Sequence, residues 1–280
     1  MTIEKFIRNK QQLAFSLGKE ESAVIIYLMF VTGYSASDLY IHGIDKIKNE
    51  TIEKFDEGFN KYLYNNKPIQ YLVNSQPFYG YDFFVDERVL IPRFETEELV
   101  ENVLELYDTY FSGRAVKLCD IGTGSGAIAI SLALEEPKIS VVATDISNDA
   151  LDVCKKNAKY HHVNGDFLLG NGLFPSIEQN KKYHMIVANP PYILNRDEVD
   201  KSTLNNEPSL ALFTTSSLPV YENIISHCQE VLYEHGIIIF EIGYDLVDKL
   251  TLIVNKYLPN SKYSFYKDIN KKYRIMCIEL

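Results

Sequence analysis

From residue 1 to about 66 the apolar positions recur at helical intervals: Ile3, Phe6, Ile7 and Leu13, then Val24, Tyr27, Leu28 and Val31, then Ile52, Phe55, Phe59 and Leu63. This spacing predicts a helical lobe. Ser35-Ala36-Ser37-Asp38 has the form of a helix start with an acid in its first turn, and Gly33, Gly43 and Gly58 punctuate the segment. Between 68 and 92 the character changes. Pro68-Ile69-Gln70-Tyr71-Leu72, the aromatic run Phe78 to Val85 around Gly80, and Val89-Leu90-Ile91-Pro92 read as a hairpin joining two lobes. After Arg93, the acids Glu95, Glu97 and Glu98 suit the first turn of a helix running to about Tyr110.

Beyond Gly113 apolar runs of strand length alternate with helical ones. Val116 to Ile121 predicts a buried strand, Gly122-Thr123-Gly124-Ser125-Gly126 a turn, Ala127 to Leu134 a helix, and Val141 to Asp145 the next strand. A helix from about Asn148 to Tyr160, a weak strand near Phe167-Leu168-Leu169 and a strand at Met185 to Ala188 follow. Helices near Val220 to Tyr233 and Leu246 to Tyr257, with strands at Ile237 to Ile242, Tyr263 to Tyr266 and Tyr273 to Glu279, complete an α/β pattern. Glycines let backbone approach a ligand at a helix N-terminus, where free N–H groups favour a carboxylate or phosphate. Asp145 stands about 20 residues after the loop, where an acid can accept hydrogen bonds from both ribose hydroxyls. Loop and acid therefore predict a nucleoside-bearing cofactor without naming it.

The apolar run before Asn189-Pro190-Pro191-Tyr192 reads as a buried strand that these four residues stop. Two prolines remove two backbone donors and leave the Asn189 and Pro190 carbonyls free to accept. The Asn189 side-chain oxygen beside the Pro190 carbonyl can grip both hydrogens of a planar amino group, and Tyr192 offers a flat face for that plane. The plain alternative is a strand-terminating turn. Parallel strands would place this shelf and the glycine loop on one rim of the sheet, facing one crevice.

At 280 residues the chain has room for one large α/β domain and a smaller partner. A formal net charge of -10 argues against a broad phosphate-binding surface. Cys119, Cys154, Cys228 and Cys277 are far apart and read as reduced core residues, and the six His show no ligand spacing, so no metal is expected. Met1 to Lys5 lacks a signal peptide's apolar segment, and the longest apolar run, Ala23 to Val31, is far short of the ~20 residues of a membrane span. A soluble, cytoplasmic protein is expected.

A glycine loop, a ribose acid and then Asn-Pro-Pro-Tyr after a later strand resembles class I S-adenosylmethionine-dependent methyltransferases that act on amino or amide nitrogens. Further stretches make the chain similar to the HemK family, the peptide chain release factor N5-glutamine methyltransferases, over nearly its whole length. They are Pro68 to Leu72, Val89 to Arg93, Glu95-Thr96-Glu97, Asp120 to Ala129, Asp145-Ile146-Ser147 with Ala150-Leu151, Asn189 to Ile193, Glu207-Pro208 with Ala211-Leu212, and Phe240-Glu241-Ile242-Gly243. The resemblance implies a helical N-terminal domain over 1–73 that docks the release factor. It also implies a β-hairpin linker over 74–92 and a Rossmann-like seven-stranded catalytic domain over 93–280. Gly122, Thr123, Gly124, Ser125, Gly126, Asp145 and Asn189 would bind the cofactor, S-adenosylmethionine, and Asn189, Pro190, Pro191 and Tyr192 the substrate glutamine, the Gly-Gly-Gln glutamine of the factor. No direct nucleic acid and no membrane partner are implied.

The chain departs from the family at Phe94, where a proline is usual, and in Gly170-Asn171-Gly172-Leu173-Phe174, which lacks the usual carboxylate. Asn171 or the Leu173-Phe174 pair are then the candidates for the adenine side. The family's later glycine-rich stretch is Phe213-Thr214-Thr215-Ser216-Ser217, and Asp268-Ile269-Asn270 lacks a glycine. Chemically, the shelf would hold the two amide hydrogens out of plane and turn the lone pair toward the methyl, with no base required. An adenine-N6 methyltransferase presents the same amino group to the same shelf. A binding protein that senses S-adenosylmethionine is the reading from another class, which the intact Asn189 and Tyr192 disfavour.

Overall fold

The computed structural model describes residues 1–192, 203, 206–208 and 218–280. Ile193, Ala211-Leu212 and 213–217, named above, lie outside the described residues. The first compact unit includes Met1–Ser75, and the second begins at Gln76.

Thr2 starts helix α1 (Ile3–Ser16), its hydroxyl accepting the Lys5 amide. Helix α2 (Ser22–Thr32) ends on Gly33 in the left-handed conformation. Ser35 and Asp38 exchange the two hydrogen bonds of a capping box at the head of α3 (Ala36–Ile41). Helix α4 (Asn49–Asn65) presents Phe55, Phe59 and Leu63 to Phe6, Val24, Tyr27 and Leu28, and each such buried side chain contributes about 1.5 to 3 kcal/mol. Gly58 does not punctuate this unit: it is buried inside α4, where a Cβ would overlap the Tyr27 hydroxyl. Residues 69–73 are helix α5 (Ile69–Val73) rather than extended chain. Pro68 stands just before it, where a missing N–H costs the helix nothing.

In the second unit the hairpin is β1 (Gln76–Phe78) and β2 (Tyr81–Phe83), turned by Tyr79 and Gly80, both at positive φ. Phe78 and Phe83 are buried in the core of this unit. The stretch Val89 to Pro92 is not a strand; Val89 and Ile91 are buried from an irregular segment that follows a turn instead. A 3-10 turn (Phe94–Thr96) leads into α6 (Glu97–Tyr110).

Then come β3 (Val116–Ile121), α7 (Ala127–Glu135), β4 (Ile139–Asp145), α8 (Asn148–Tyr160), β5 (Gly165–Leu169), α9 (Phe174–Glu178) and β6 (Tyr183–Ala188). Helix α10 (Leu218–Val231), β7 (Leu232–Glu241), α11 (Val247–Tyr257), β8 (Lys262–Lys267) and β9 (Tyr273–Glu279) follow. The seven strands pair in the order β5-β4-β3-β6-β7-β9-β8, parallel from β5 to β7 and antiparallel through β9 and β8. Near-continuous apolar runs fit strands buried on both faces, and two clusters fill the space on either side. Leu118, Met185, Val187 and Ile239 belong to one; Cys119, Ile186, Ala188 and Phe240 belong to the other.

Candidate active site

The chain runs β3, β4, β5 toward one edge and then returns to pair β6 on the other side of β3, so the sheet's switch point lies between β3 and β6. Register fixes what stands there. Ile121 pairs with both Thr144 and Ala188, and Ala188 pairs with Phe240. The next residues on the four strands are Gly122, Asp145, Asn189 and Glu241. Adjacent strands lie about 4.8 Å apart, so these four line one rim at the carboxyl ends.

Gly122, Gly124 and Gly126 all hold positive φ, which explains the three glycines. Four of the five loop amides already have protein acceptors, which leaves less of a carboxylate or phosphate cradle than the glycine pattern suggests. Gly122 and Thr123 donate to the Thr144 carbonyl, Gly124 to Asp145 Oδ2 at 2.9 Å, and Gly126 to the Thr123 carbonyl. A Cβ at Gly122 or Gly124 would meet nothing within 4 Å, so there is open space in front of the loop. At Gly126 a Cβ would strike Cys154 and Ile130, so that glycine serves packing. The Ser125 carbonyl accepts from Asn157 Nδ2, and Ser125 is buried.

Two acids support the loop. Asp145 Oδ1 accepts the Ser147 amide, and burial raises its carboxyl above the ordinary range. Asp120 is fully buried; its Oδ2 accepts the Thr123 hydroxyl at 2.7 Å, while Oδ1 has no well-formed hydrogen bond, the Ala129 amide standing only near enough to favour the charge. Burial pushes its carboxyl up to about 7, and the charge of Asp145 adds to the rise. A loop whose amides bind protein acceptors, backed by two carboxylates, is unfavourable for a pyrophosphate. It suits a ligand carrying positive charge and a ribose diol, which is the chemistry of S-adenosylmethionine. Asp145 would hold the ribose and the Gly122 to Gly126 backbone would pass close to the methionine portion. On the adenine side Asn171 is exposed beyond β5, whereas the Leu173 side chain is fully buried among core residues. Asn171 and Phe174, which is 41% exposed, are thus the candidates with side chains open to a ligand.

At the shelf, Asn189 Nδ2 donates to Thr96 Oγ1 at 3.2 Å, and Tyr192 OH donates to Glu241 Oε1 at 3.1 Å. The two are joined, because Thr96 Oγ1 donates to Glu241 Oε2 at 2.8 Å. Pro190 is buried and Pro191 half-buried, and among the described residues no donor occupies the Pro190 carbonyl. Burial and the Glu241 carboxylate raise the Tyr192 phenol, so its proton stays on at any working pH. Thr96 and Glu241 were not among the residues assigned a role from the sequence. For Glu241 the available signal was an acid at the end of a buried apolar run; Thr96, between Glu95 and Glu97, gave none beyond its place in a resembling stretch. Glu207 accepts the Ile91 amide at 3.2 Å and the Arg93 guanidinium at 2.6 Å, fastening the chain after the shelf to the approach to α6.

The family model described as Methyltransferase small domain matches residues 96–207. The ribosomal protein L11 methylase of Lactobacillus delbrueckii subsp. bulgaricus superposes with a TM-score of 0.50 at 20% identity, covering 72% of this chain and 88% of that one, which speaks for the fold. The release factor glutamine methyltransferase of Staphylococcus aureus is 35% identical over 262 residues, 92% of each chain. That of Streptococcus pneumoniae is 36% identical over 283 aligned positions, covering 100% of this chain and 99% of its own. Because identity at this level runs through the helical unit as well as the sheet, this chain belongs to the release factor glutamine methyltransferase family.

Proposed function

We propose that the protein transfers a methyl group from S-adenosylmethionine to the side-chain amide nitrogen (N5) of a glutamine in a peptide chain release factor, the Gly-Gly-Gln glutamine. The observation that carries this reading is the register that sets Asn189, with the Pro190 carbonyl beside it, next to the glycine loop. A glutamine amide is a weak nucleophile because its lone pair is delocalised into the carbonyl. Asn189 Oδ1 and the Pro190 carbonyl accept its two hydrogens, and the Tyr192 ring supports its plane, so the lone pair turns toward the reacting methyl. When bound, S-adenosylmethionine supplies that methyl as an electrophile on a sulfonium. No protein base is required, since the cationic N-methyl amide is acidic enough to lose its proton to water.

The helical unit serves as the docking surface for the release factor in this reading. Tyr40, Ile41 and Ile44 are 89%, 67% and 81% exposed on it, more apolar surface than a helical spacer needs. A cytoplasmic setting accompanies it, in keeping with four free, buried thiols. No helix among the described residues is long and apolar enough to cross a membrane.

The test is incubation with labelled S-adenosylmethionine and, in parallel, full-length release factor, DNA and RNA. Label is expected on the release factor and absent from a glutamine-to-alanine version of it. Label confined to nucleic acid would replace this reading with adenine-N6 methylation.

A further inference from the structure

Thr96 and Glu241 lie outside any reaction path described above, yet they meet both working side chains of the shelf. The Thr96 hydroxyl has one proton. Glu241 is 4% exposed, and an ionised carboxylate accepts only, so the 2.8 Å contact uses that proton from Thr96 to Glu241 Oε2. What Thr96 Oγ1 presents to Asn189 is then a lone pair. An amide can turn its oxygen or its nitrogen to such a partner, and only the nitrogen is accepted. Nδ2 therefore faces Thr96 at 3.2 Å and Oδ1 is left on the other side.

We infer that Thr96, held by Glu241, is a positioning residue that fixes the flip of the Asn189 amide so that its oxygen faces the substrate. Without it the Asn189 side chain has two orientations of similar energy, and in one of them an N–H group opposes the substrate's own N–H. Glu241 is itself fixed on three sides: Tyr192 OH donates to Oε1, Tyr221 OH donates to its backbone carbonyl at 2.7 Å, and the charge of Arg274 favours its ionised form. Glu95 opposes that form from the 3-10 turn. Burial raises the Glu241 carboxyl above its ordinary range. Once protonated, it can donate to Thr96, freeing the threonine proton to point at Asn189 and favour the reversed amide. The direction of a chain of hydrogen bonds thus sets which atom the site offers.

This inference rests on the proposed glutamine chemistry, and its test separates the two. Single-turnover methyl transfer to full-length release factor is measured at saturating S-adenosylmethionine for wild type, Thr96→Val, Thr96→Ser, Asn189→Ala and the Thr96→Val/Asn189→Ala double variant. Thr96→Val should be slower by about 10- to 100-fold with unchanged cofactor affinity, and Thr96→Ser should stay within about threefold of wild type. The double variant should be no slower than Asn189→Ala, because Thr96 acts through Asn189. In wild type the rate should fall toward acid pH as Glu241 takes up its proton, and Glu241→Gln should flatten that limb.

A second readout needs no substrate. The side-chain N–H protons of Asn189, followed by nuclear magnetic resonance in asparagine-labelled protein, should be protected from solvent exchange in wild type and Thr96→Ser but not in Thr96→Val. A folded Thr96→Val variant with wild-type transfer and protection overturns the inference, as does an additive double variant. A wild type that never labels release factor overturns the glutamine reading instead, and the exchange measurement still decides the orientation of Asn189.

Discussion

Asn157 Nδ2 donates to the Ser125 carbonyl at 2.8 Å, so a residue of α8 holds the glycine loop from behind. The same nitrogen donates to the Phe84 carbonyl at 3.0 Å, and Asn157 Oδ1 accepts the Phe84 amide at 2.8 Å. A side chain 1% exposed thus ties the loop to the segment that follows the hairpin. Asn157→Ala leaves the buried Ser125 carbonyl and two part-buried backbone groups of Phe84 without this partner. Denaturant unfolding should show a loss of about 2 to 4 kcal/mol. Calorimetry on the folded variant should show S-adenosylmethionine binding weakened by several-fold, since the loop is no longer held at the distance the ligand requires.

Asp145 has a double task, because its Oδ2 already accepts the Gly124 amide that shapes the loop. Asp145→Ala removes this contact together with the acceptors offered to the ribose, each charge-assisted bond being worth about 1.5 to 3 kcal/mol. Cofactor affinity should fall by at least about tenfold. An unchanged dissociation constant in folded protein would remove Asp145 from the binding site.

Asp120 predicts how stability depends on pH. Its carboxyl is raised from about 3.9 in the unfolded chain to about 7 in the fold, so ionisation is disfavoured by folding. Below about pH 4 both states are protonated and nothing is lost. Between there and about 7 the unfolded state releases its proton first, and wild-type stability falls. Above 7 the loss is complete, at up to about 4 kcal/mol. Asp120→Asn cannot ionise and still accepts from Thr123. Its stability relative to wild type should rise by about 2 to 4 kcal/mol between pH 4.5 and 8, as urea unfolding at the two values would show. Any fixed cost of the extra N–H group cancels in that comparison.

The exposed Tyr40 and Ile44 test the docking role of the helical unit. Replacing both by Ala deletes surface groups that support no core, so the melting temperature should stay near wild type. KM for release factor should rise about 10-fold or more while kcat changes little, as truncation of interface anchors commonly does. An unchanged KM would assign docking to another surface.

What the sequence made legible follows from burial. Strands β3, β4 and β6 each bury four consecutive residues on both faces and read as mostly apolar runs despite Lys117 and Ser140, and the glycine loop and Asn189 stand just after those runs. Strand β5 is half-buried with exposed Asp166 and Leu169, which weakened its pattern. Strand β7 begins at Leu232 rather than Ile237, because Tyr233, Glu234 and His235 are exposed and break the run. Gly58 could not be read as a packing residue without knowing that the Tyr27 ring lies over it. Thr96 and Glu241 were hidden by distance, since 145 positions of chain separate two side chains that meet at 2.8 Å. A sequence pattern reports which face an element buries, whereas a hydrogen bond between elements is set by how they pack.

Asn189 is the residue on which the proposed chemistry depends most directly. Its Oδ1 is expected to hold a substrate N–H that becomes more acidic as the nitrogen pyramidalises, so the bond strengthens toward the transition state. Its loss should therefore fall mainly on kcat. Asn189→Ala should cost roughly 3 to 4 kcal/mol, about 100- to 1,000-fold in single-turnover rate, with thermal melts confirming the fold. Asn189→Asp separates shape from charge. The variant keeps an acceptor toward the substrate, but its second oxygen replaces Nδ2 against Thr96 Oγ1, whose only proton is already given to Glu241. Two carboxylates then compete for one hydroxyl, and the shelf loses its donor toward Thr96. The aspartate variant should thus be at least 10-fold slower than wild type despite retaining the acceptor. Raising the pH should not restore it, because a higher pH only favours the second charge. An Asn189→Ala variant within threefold of wild type would remove Asn189 from the mechanism, and with it the main physical reason for preferring amide chemistry at this site.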